Sequence, residues 1–179
     1  MPTPPREILQ LGNPTLRQLA QSVENPQDPA LQDLIDELLE ILTHSGGVGI
    51  AAPQVGLPLQ LMIVASHPTP RYPHAPEMSP LALLNPQIID RSIEVEKGWE
   101  GCLSVPGIRG RVPRYLSVAV EYLDRHGNPH RQVFHDFVAR IFQHEYDHLK
   151  GIVFVDRVES TQELMTEQEY QRQIMGSVP

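Results

Sequence analysis

The chain has 179 residues, of which 40% are hydrophobic and 20% charged, and its formal net charge at pH 7 is −8. This length favours one domain with a sizeable buried core, and the composition is ordinary for a globular protein. The acidic balance argues against a general nucleic-acid surface, so we expect no DNA partner. One cysteine excludes an internal disulfide framework and fits a reducing compartment.

The N-terminal residues and the apolar runs bear on cellular location. Residues 1–6 lack the charged and apolar regions of a signal peptide, and no apolar run approaches membrane-spanning length. We therefore expect a cytoplasmic protein with no membrane partner, and we expect residues 1–179 to form a single domain.

Two helices are predicted near the N-terminus. Asn13-Pro14 and Asp28-Pro29 each combine an N-cap residue with a proline suited to the first helical position. The first pair predicts a short helix over about residues 14–23. The second predicts an amphipathic helix that ends at Gly46-Gly47, since glycine commonly follows the last helical turn.

Extended segments follow these helices. Residues 59–65 are apolar enough for a buried strand, and the proline-rich segment 66–80 predicts a surface loop. Alternating apolar residues over 116–122 precede the turn sequence 124–128, which predicts a hairpin. Further strands are expected at 81–84, 87–90, 93–97, 132–134 and 152–155.

The C-terminal part is predicted to be helical, because Ser160 and Glu163 match a capping box. We place this helix at about residues 160–175. The predicted fold class is therefore α+β, with antiparallel β-sheets packed around a central helix, N-terminal helices and a C-terminal helix.

The central helix carries the most informative pattern in the chain, His144-Glu145-Tyr146-Asp147-His148. Residues four apart share a helix face, so both imidazoles point the same way and the Glu145 carboxylate lies within their reach. One histidine on an apolar face is usually a core residue. Two at this spacing, with a glutamate between them, predict a metal site with a carboxylate beside it.

The sequence also predicts where this helix begins and ends and which of its faces is apolar. Asp136 can cap its N-terminus, and Gly151 follows its end. Phe137 and Ile141 lie on the same stripe as the two histidines, so the predicted ligands continue an apolar face into the interior.

A catalytic site of this type needs a third protein ligand and an open position for water. In one protease family the third ligand is a histidine, but Phe154 occupies that position here and cannot bind a metal. A glutamate on a following helix is another known arrangement. Glu163 and Glu167 are available for it only as charged residues on a face that looks solvated.

Cys102 is the better choice for the third ligand. It lies in Glu100-Gly101-Cys102-Leu103-Ser104, where Gly101 allows close approach and a thiolate is a strong ligand for a borderline-soft ion. The competing interpretation is an inert, small residue of the core.

Residues 47–56 are all small, apolar or amide residues. The amide of Gln54 could point at a ligand that the glycines allow the backbone to approach. Alternatively, the segment is a tight buried connection in which Gln54 satisfies backbone groups, and the residues alone favour this second interpretation.

Three stretches together resemble the signature motifs of the peptide deformylase family, in the same order and with similar spacing. They are Gly47-Val48-Gly49-Ile50-Ala51-Ala52-Pro53-Gln54, Glu100-Gly101-Cys102-Leu103-Ser104 and Gln143-His144-Glu145-Tyr146-Asp147-His148. The resemblance covers nearly the whole chain, from Leu9 to about Asp156. It implies a catalytic metallohydrolase that removes the formyl group from N-formylmethionyl nascent peptides and releases formate.

The resemblance also implies a cofactor and its ligands. Cys102, His144 and His148 would bind one divalent metal ion, usually Fe(2+) in this family, which Zn(2+), Ni(2+) or Co(2+) can replace. The metal lowers the pKa of a water molecule, and Glu145 can accept its proton and return it to the departing amine. The resemblance assigns the donors for the developing oxyanion to the Gln54 side chain and the Leu103 backbone N–H.

The substrate side of the site follows from the same resemblance. Val48 and Gly49 would run beside the extended peptide and bond to its backbone, and Gly101 is a further expected substrate-binding residue. The methionine side chain would lie in an apolar pocket, which Val48, Phe137 and Ile141 line. Arg109 resembles a residue of the family's substrate cleft, although a surface arginine is an equally good interpretation.

Three features depart from the family or stay open. Residues 156–179 have five acidic residues and two arginines, unlike the basic C-terminal helix by which some members dock on the ribosome, so the ribosome is at most a transient partner. Arg140 is larger and more polar than the aliphatic residue that many members have there. Asp147 could orient a ligand or pair with a charge elsewhere.

Two other classes of function stay open. A metallopeptidase that cuts internal peptide bonds shares the His-Glu-x-x-His pattern and the water chemistry. A non-catalytic relative could bind N-termini or use the metal structurally, although a structural site needs a fourth protein ligand and none is evident.

Overall fold

The computed structural model describes residues 6–69 and 72–176. The predicted domain also includes residues 1–5, 70–71 and 177–179, which lie outside the described residues. The described strands are β1 (Gly49–Ala51), β2 (Leu61–Ser66), β3 (Met78–Arg91), β4 (Val95–Cys102), β5 (Val105–Tyr115), β6 (Ser117–Leu123), β7 (Pro129–His135) and β8 (Leu164–Thr166). The described α-helices are α1 (Pro29–Ser45), α2 (Asp136–Leu149) and α3 (Glu167–Tyr170).

The strands form two antiparallel sheets. The first has five strands in the order β1-β2-β3-β6-β7, and the second has three in the order β4-β5-β8. The predicted α+β class with antiparallel sheets is thus confirmed. None of the described helices combines the length and the apolarity that crossing a bilayer requires.

Helix α1 forms where its capping signals predict. The Asp28 side chain accepts a hydrogen bond from the Ala30 N–H at 3.0 Å, and Gly46 ends the helix with a φ of +62°. Its apolar face includes Ile35 and Leu38, both fully buried against the five-stranded sheet.

Strand β2 is buried on both faces, which explains its continuous apolar sequence. Alternate side chains of a strand point to opposite faces. Leu61 and Ile63 therefore join the cluster beneath α1, whereas Met62 and Val64 join the cluster beneath α2. The two helices thus cover opposite faces of the five-stranded sheet.

The N-terminus of α2 differs from the prediction. Asp136 is not the N-cap but the first helical residue, at a φ of +48°, and His135 is the N-cap without a side-chain hydrogen bond. Backbone pairing explains the difference, because the Asp136 N–H donates to the Leu116 carbonyl at 2.7 Å and the chain enters the helix directly from β7.

The predicted helix over 160–175 is wrong in its first half. Ser160 caps only a short 3-10 turn, Thr161–Glu163, and the next residues form β8 beside β5. The helix begins at Glu167, where the Thr166 side chain caps it, and it continues as a π-helical turn over Gln171–Met175. The open edge of β5 offers hydrogen bonds that local helix signals cannot reveal.

Other secondary-structure elements also differ from the prediction. The predicted strands 81–84 and 87–90 are both parts of β3. The strand predicted at 152–155 is replaced by a 3-10 turn at Phe154–Asp156. The first predicted helix is only a 3-10 turn, Pro14–Arg17. Strand β5 was not predicted, because its two prolines and two glycines disfavour a strand on sequence grounds.

Candidate active site

One cluster of potential metal ligands stands out in the described part of the chain. Cys102 lies at the end of β4, and His144 and His148 lie one turn apart on α2. Their ligand atoms all lie within 4.8 Å of one another, and Cys102 Sγ is 3.3 Å from His148 Nε2. The second sheet and the helix therefore meet at the three residues that the sequence selected.

The orientation of His144 is set by Glu100. The Nδ1 atom of His144 lies 2.8 Å from the Glu100 carboxylate and donates to it, so Nε2 is the ring nitrogen that can serve as a ligand. Burial alone would raise the pKa of Glu100, but the charge of Arg114 and the hydrogen bond from His144 hold it well below its usual value. Sequence reasoning quoted Glu100 in a motif but gave it no role.

Arg114 joins Glu100 to Asp147 in a buried network. Its guanidinium donates to Glu100 at 2.9 and 3.0 Å and to Asp147 at 2.6 Å. Asp147 also accepts from Arg157 at 2.7 Å. Asp147 therefore pairs with cations behind the helix and does not contact the imidazoles, which resolves the choice left open by the sequence.

This network predicts a large stability loss for Arg114→Met. Removing one partner of a buried pair leaves the other charges uncompensated and typically costs ~3–5 kcal/mol. Arg125→Met is the matched control, because Arg125 pairs with Asp36 at the surface, where such a pair contributes less than ~1 kcal/mol. Urea unfolding of both variants measures the difference, and equal losses would refute the role of the network.

Glu145 is the buried carboxylate beside the cluster. It is 4% exposed, and burial raises its pKa to about 7. Its Oε2 atom has no hydrogen-bond partner among the described residues. A Cβ added at Gly49 would collide with this carboxylate, so the glycine is what allows β1 to pass so close. The free oxygen can accept a proton from a molecule in the cleft.

The Gln54 side chain bonds to a backbone group and also points at the cluster, as the two interpretations predicted separately. Its Oε1 accepts from the Ala51 N–H at 2.8 Å, which satisfies a backbone group, while its Nε2 lies 3.1 Å from Ser104 Oγ and 3.5 Å from Cys102 Sγ. The amide nitrogen therefore faces the cluster in a side chain that is 1% exposed.

The two imidazoles favour the ionised form of Cys102. Burial opposes ionisation of Cys102, but the charge of His148 and hydrogen bonds from both histidines lower its pKa well below the usual value. Burial likewise opposes a charge on His144, but hydrogen bonds to Cys102 and Glu100 raise its pKa well above the usual value. A site that stabilises both a thiolate and a nearby positive charge is suited to a cation.

A cleft opens onto this cluster, and most of the predicted site residues line it. The predicted residues in its walls are Val48, Gly49, Gln54, Gly101, Cys102, Leu103, Phe137, Ile141, His144 and Glu145. Sequence reasoning missed Tyr72 and Trp99, which also line the cleft. Their signal, an aromatic residue in a loop or beside a motif, is too common to be specific.

Arg109 was predicted either to contact substrate or to lie at the surface. It is only 1% exposed, so the surface interpretation is wrong, and it is not among the residues that line the cleft. Its guanidinium donates to Glu167 at 2.6 Å and to the Tyr72 hydroxyl at 3.0 Å. Glu167 is accordingly an ion-pair partner and does not approach the metal-ligand cluster.

Arg140 lines the cleft, but its charged end binds the second sheet. It donates to Glu100 at 3.0 Å and to the carbonyls of Val112 and Glu96 at 2.8 and 2.7 Å. A Cβ added at Gly98 would lie 2.7 Å from its guanidinium carbon. In this conformation Arg140 thus occupies the space that a larger residue at position 98 would need.

The donor set fits a catalytic metal. A thiolate and two imidazoles suit a borderline-soft divalent ion, and the described residues supply three such donors within reach of one another. Three protein ligands would leave a metal able to bind water, and Glu145, whose Oε2 has no partner among the described residues, lines the same cleft. The mixed α+β fold and this site define the class of protein, a metal-dependent hydrolase.

Comparisons with known proteins identify the family. The family model described as polypeptide deformylase matches residues 5–164, and the chain belongs to this family. Its members are metal-dependent hydrolases that remove the N-formyl group from nascent peptides, and the chain is a hydrolase of this kind. The resemblance predicted from the three motifs is therefore confirmed.

The similarity extends over most of the chain. Peptide deformylase 2 of Nostoc sp. is 60% identical over 164 residues, which are 92% of each chain. A class I type b peptide deformylase from Acinetobacter baumannii, solved with Met-Ala-Ser bound, has a TM-score of 0.84 and 44% identity, covering 86% of this chain and 98% of that one. A deformylase from Synechococcus elongatus in complex with actinonin has a TM-score of 0.80 and 39% identity, covering 91% and 84%.

Proposed function

We propose that the cleft is the active site of this hydrolase and that it releases formate from N-formylmethionyl nascent peptides. The observation that carries the proposal is the buried Glu145 carboxylate, whose Oε2 has no partner among the described residues and which lines the same cleft as Cys102 and His144. We further propose that residues 1–179 act as one catalytic domain, with α2 as its central metal-binding helix.

Cys102, His144 and His148 would hold the cofactor, one divalent metal ion. Fe(2+) is our first choice, and Zn(2+), Ni(2+) or Co(2+) also suit one thiolate with two imidazoles. When bound, the ion supplies a Lewis acid for the formyl oxygen and lowers the pKa of the attacking water. Glu100 supports this role, because its bond to Nδ1 leaves Nε2 of His144 free to ligate.

Glu145 would move the protons of the reaction. Its Oε2 accepts a proton from water as the oxygen attacks the formyl carbon. The resulting acid then donates this proton to the amine nitrogen of methionine as the carbon–nitrogen bond breaks. Burial raises the pKa of Glu145, which favours uptake of a proton by this carboxylate.

Gln54 and Leu103 would stabilise the negative charge that develops on the formyl oxygen. The Gln54 amide is held in place by its Oε1 bond to Ala51, so its N–H groups need no reorganisation during the reaction. Leu103 lines the cleft directly after Cys102, and its backbone N–H is the second donor that we assign.

The substrate would lie along β1. Among the described strands, β1 is an edge of the five-stranded sheet and pairs with β2 alone, so the backbone of Gly49 and of the preceding Val48 can bind an extended peptide. Gly101 faces the peptide from the other wall, and the methionine side chain lies against Val48, Phe137 and Ile141. Arg109 supports the wall and makes no direct contact with the peptide.

The substrate also suggests the setting of the reaction. Nascent peptides are exposed where ribosomes work, so we place the protein in the cytoplasm with the ribosome as a transient partner. The acidic segment that starts at Asp156 argues against docking through a basic C-terminal helix, since residues 156–179 contain five acidic residues and two arginines.

One experiment tests the function against the metallopeptidase alternative. Protein purified without oxygen and loaded with Fe(2+) or Ni(2+) should release formate from formyl-Met-Ala-Ser and leave the bonds of Met-Ala-Ser intact. In air the iron-loaded enzyme should lose activity faster than the nickel-loaded enzyme, because a thiolate-ligated ferrous site is open to oxidation. Cleavage of internal peptide bonds without formate release would overturn the proposed function, and equal lifetimes in air would argue against iron.

A further inference from the structure

The proline-rich loop contributes a wall of the cleft. Tyr72, in the loop that the sequence predicted to be a surface connection, lines the cleft beside the residues of the three motifs. Its ring centroid lies 5.0 Å from that of Phe137, the second residue of α2, in a tilted arrangement. Such aromatic pairs are favourable beyond the area they bury, so the ring has a preferred position over the apolar part of the cleft.

The other end of Tyr72 is held by the second sheet. Arg109 Nη1, on β5, donates to the Tyr72 hydroxyl at 3.0 Å. The guanidinium lies directly behind the cleft, because a Cβ added at Gly101 would be 3.0 Å from its central carbon. The Tyr72 side chain therefore spans from the first turn of α2 to the strand beside Cys102.

Arg109 is itself fixed by the C-terminal segment. Glu167 accepts from its Nε at 2.6 Å and from its Nη2 at 3.3 Å, and the ring of Tyr170 lies 4.9 Å from the guanidinium carbon. Arg109 is 1% exposed, although the Glu167 side chain is 33% exposed, so the guanidinium itself is buried between these partners. A chain of contacts thus runs from α3 through Arg109 to the ring in the cleft.

We propose that Tyr72 is a specificity-determining residue, whose ring closes the apolar pocket for the first side chain of the formyl peptide, with Arg109 and Glu167 as positioning residues. This inference rests on the proposed function. An aromatic face gives favourable contacts to a flexible thioether side chain such as methionine. If the first residue of the peptide were alanine, its side chain would not reach the Tyr72 ring. The contact therefore contributes to discrimination between formyl-methionyl and formyl-alanyl peptides.

The experiment compares Tyr72→Ala, Tyr72→Phe and Glu167→Gln in the metal-loaded enzyme. Tyr72→Ala should reduce the ratio of kcat/KM values for formyl-Met-Ala-Ser over formyl-Ala-Ala-Ser about tenfold, the effect of lost apolar contact in a pocket. The loss should appear in KM, because the contact exists before and during the reaction. Tyr72→Phe keeps the ring and should lose less, and Glu167→Gln should lower the ratio in the same direction.

The matched control is Glu163→Gln. Glu163 also ties the C-terminal segment to the second sheet, through Lys97 at 2.8 Å, but it has no contact with Arg109 or Tyr72 among those described. The same chemical change there should leave the selectivity ratio unchanged. A purely structural role of Glu167 would make the two glutamate variants behave alike, and that result would overturn the positioning role.

Trp99 provides a measurement that needs no turnover. It is the single tryptophan of the chain and it lines the cleft, so peptide binding should change its fluorescence. Titration with Met-Ala-Ser should show about tenfold weaker binding to Tyr72→Ala, whereas Ala-Ala-Ser should bind both proteins alike. An unchanged ratio in folded Tyr72→Ala and Glu167→Gln proteins would overturn the inference. Failure of the wild-type enzyme to release formate would instead refute the proposed function.

Discussion

Glu145→Gln is expected to reduce turnover by between about 10² and 10⁴-fold, near the upper end of the range for a general acid–base group, while the metal stays bound. Glutamine is nearly isosteric with glutamate but cannot accept the proton from water. The loss should be near the upper end because one carboxylate serves both proton transfers. The fold should not suffer, since burial already disfavours the charged form and raises the pKa of Glu145 to about 7.

Three measurements on one preparation separate catalysis from binding: metal stoichiometry, affinity for Met-Ala-Ser and formate release. Glu121→Gln on β6 is a suitable control, because Glu121 is an exposed glutamate that is not among the residues lining the cleft. Near-normal turnover by a fully metal-loaded Glu145→Gln enzyme would eliminate the proposed mechanism. A variant that loses its metal along with its activity would instead make Glu145 a structural element of the metal site.

Cys102→Ala should weaken metal binding by more than ~100-fold, the upper range seen when only a supporting residue of a metal site is removed. The change deletes one of three proposed ligands and leaves two imidazoles on one helix face. Activity should fall with metal content, in contrast to Glu145→Gln. Metal analysis after dialysis against a chelator measures the effect.

Ser66→Ala serves as the control for this substitution, because Ser66 is also small and fully buried but lies on β2 outside the cluster. Cys102→Ser should retain some metal through its oxygen, although less than wild type, since thiolate is the better ligand for these ions. Full occupancy and full activity in Cys102→Ala would remove Cys102 from the site.

The sequence predicted the ligand cluster better than it predicted the strands. His144, Glu145 and His148 could be placed because helical geometry fixes their relation locally. Cys102 could be selected because its neighbours form a motif, and β4 does bring its Sγ to within 3.3 Å of His148 Nε2. Local spacing and three motifs were therefore sufficient to predict that these side chains lie together.

The sequence did not indicate which side chains that lie far apart along the chain bond to each other. The bonds from Arg114 to Glu100 and Asp147 join β5, β4 and α2, and no spacing along the chain indicates them. The same is true of Tyr72 and Arg109, whose contact depends on how the loop folds over the second sheet. The misplaced C-terminal helix has a similar cause, since β8 forms only because β5 has an open edge.

The contact between Gly98 and Arg140 has an evolutionary consequence. The guanidinium lies where a side chain at position 98 would project, because even a Cβ there would be 2.7 Å from its central carbon. A side chain at position 98 and the guanidinium in this place would compete for the same volume. Among relatives, the two positions should then covary, with arginine at 140 found only beside glycine at 98.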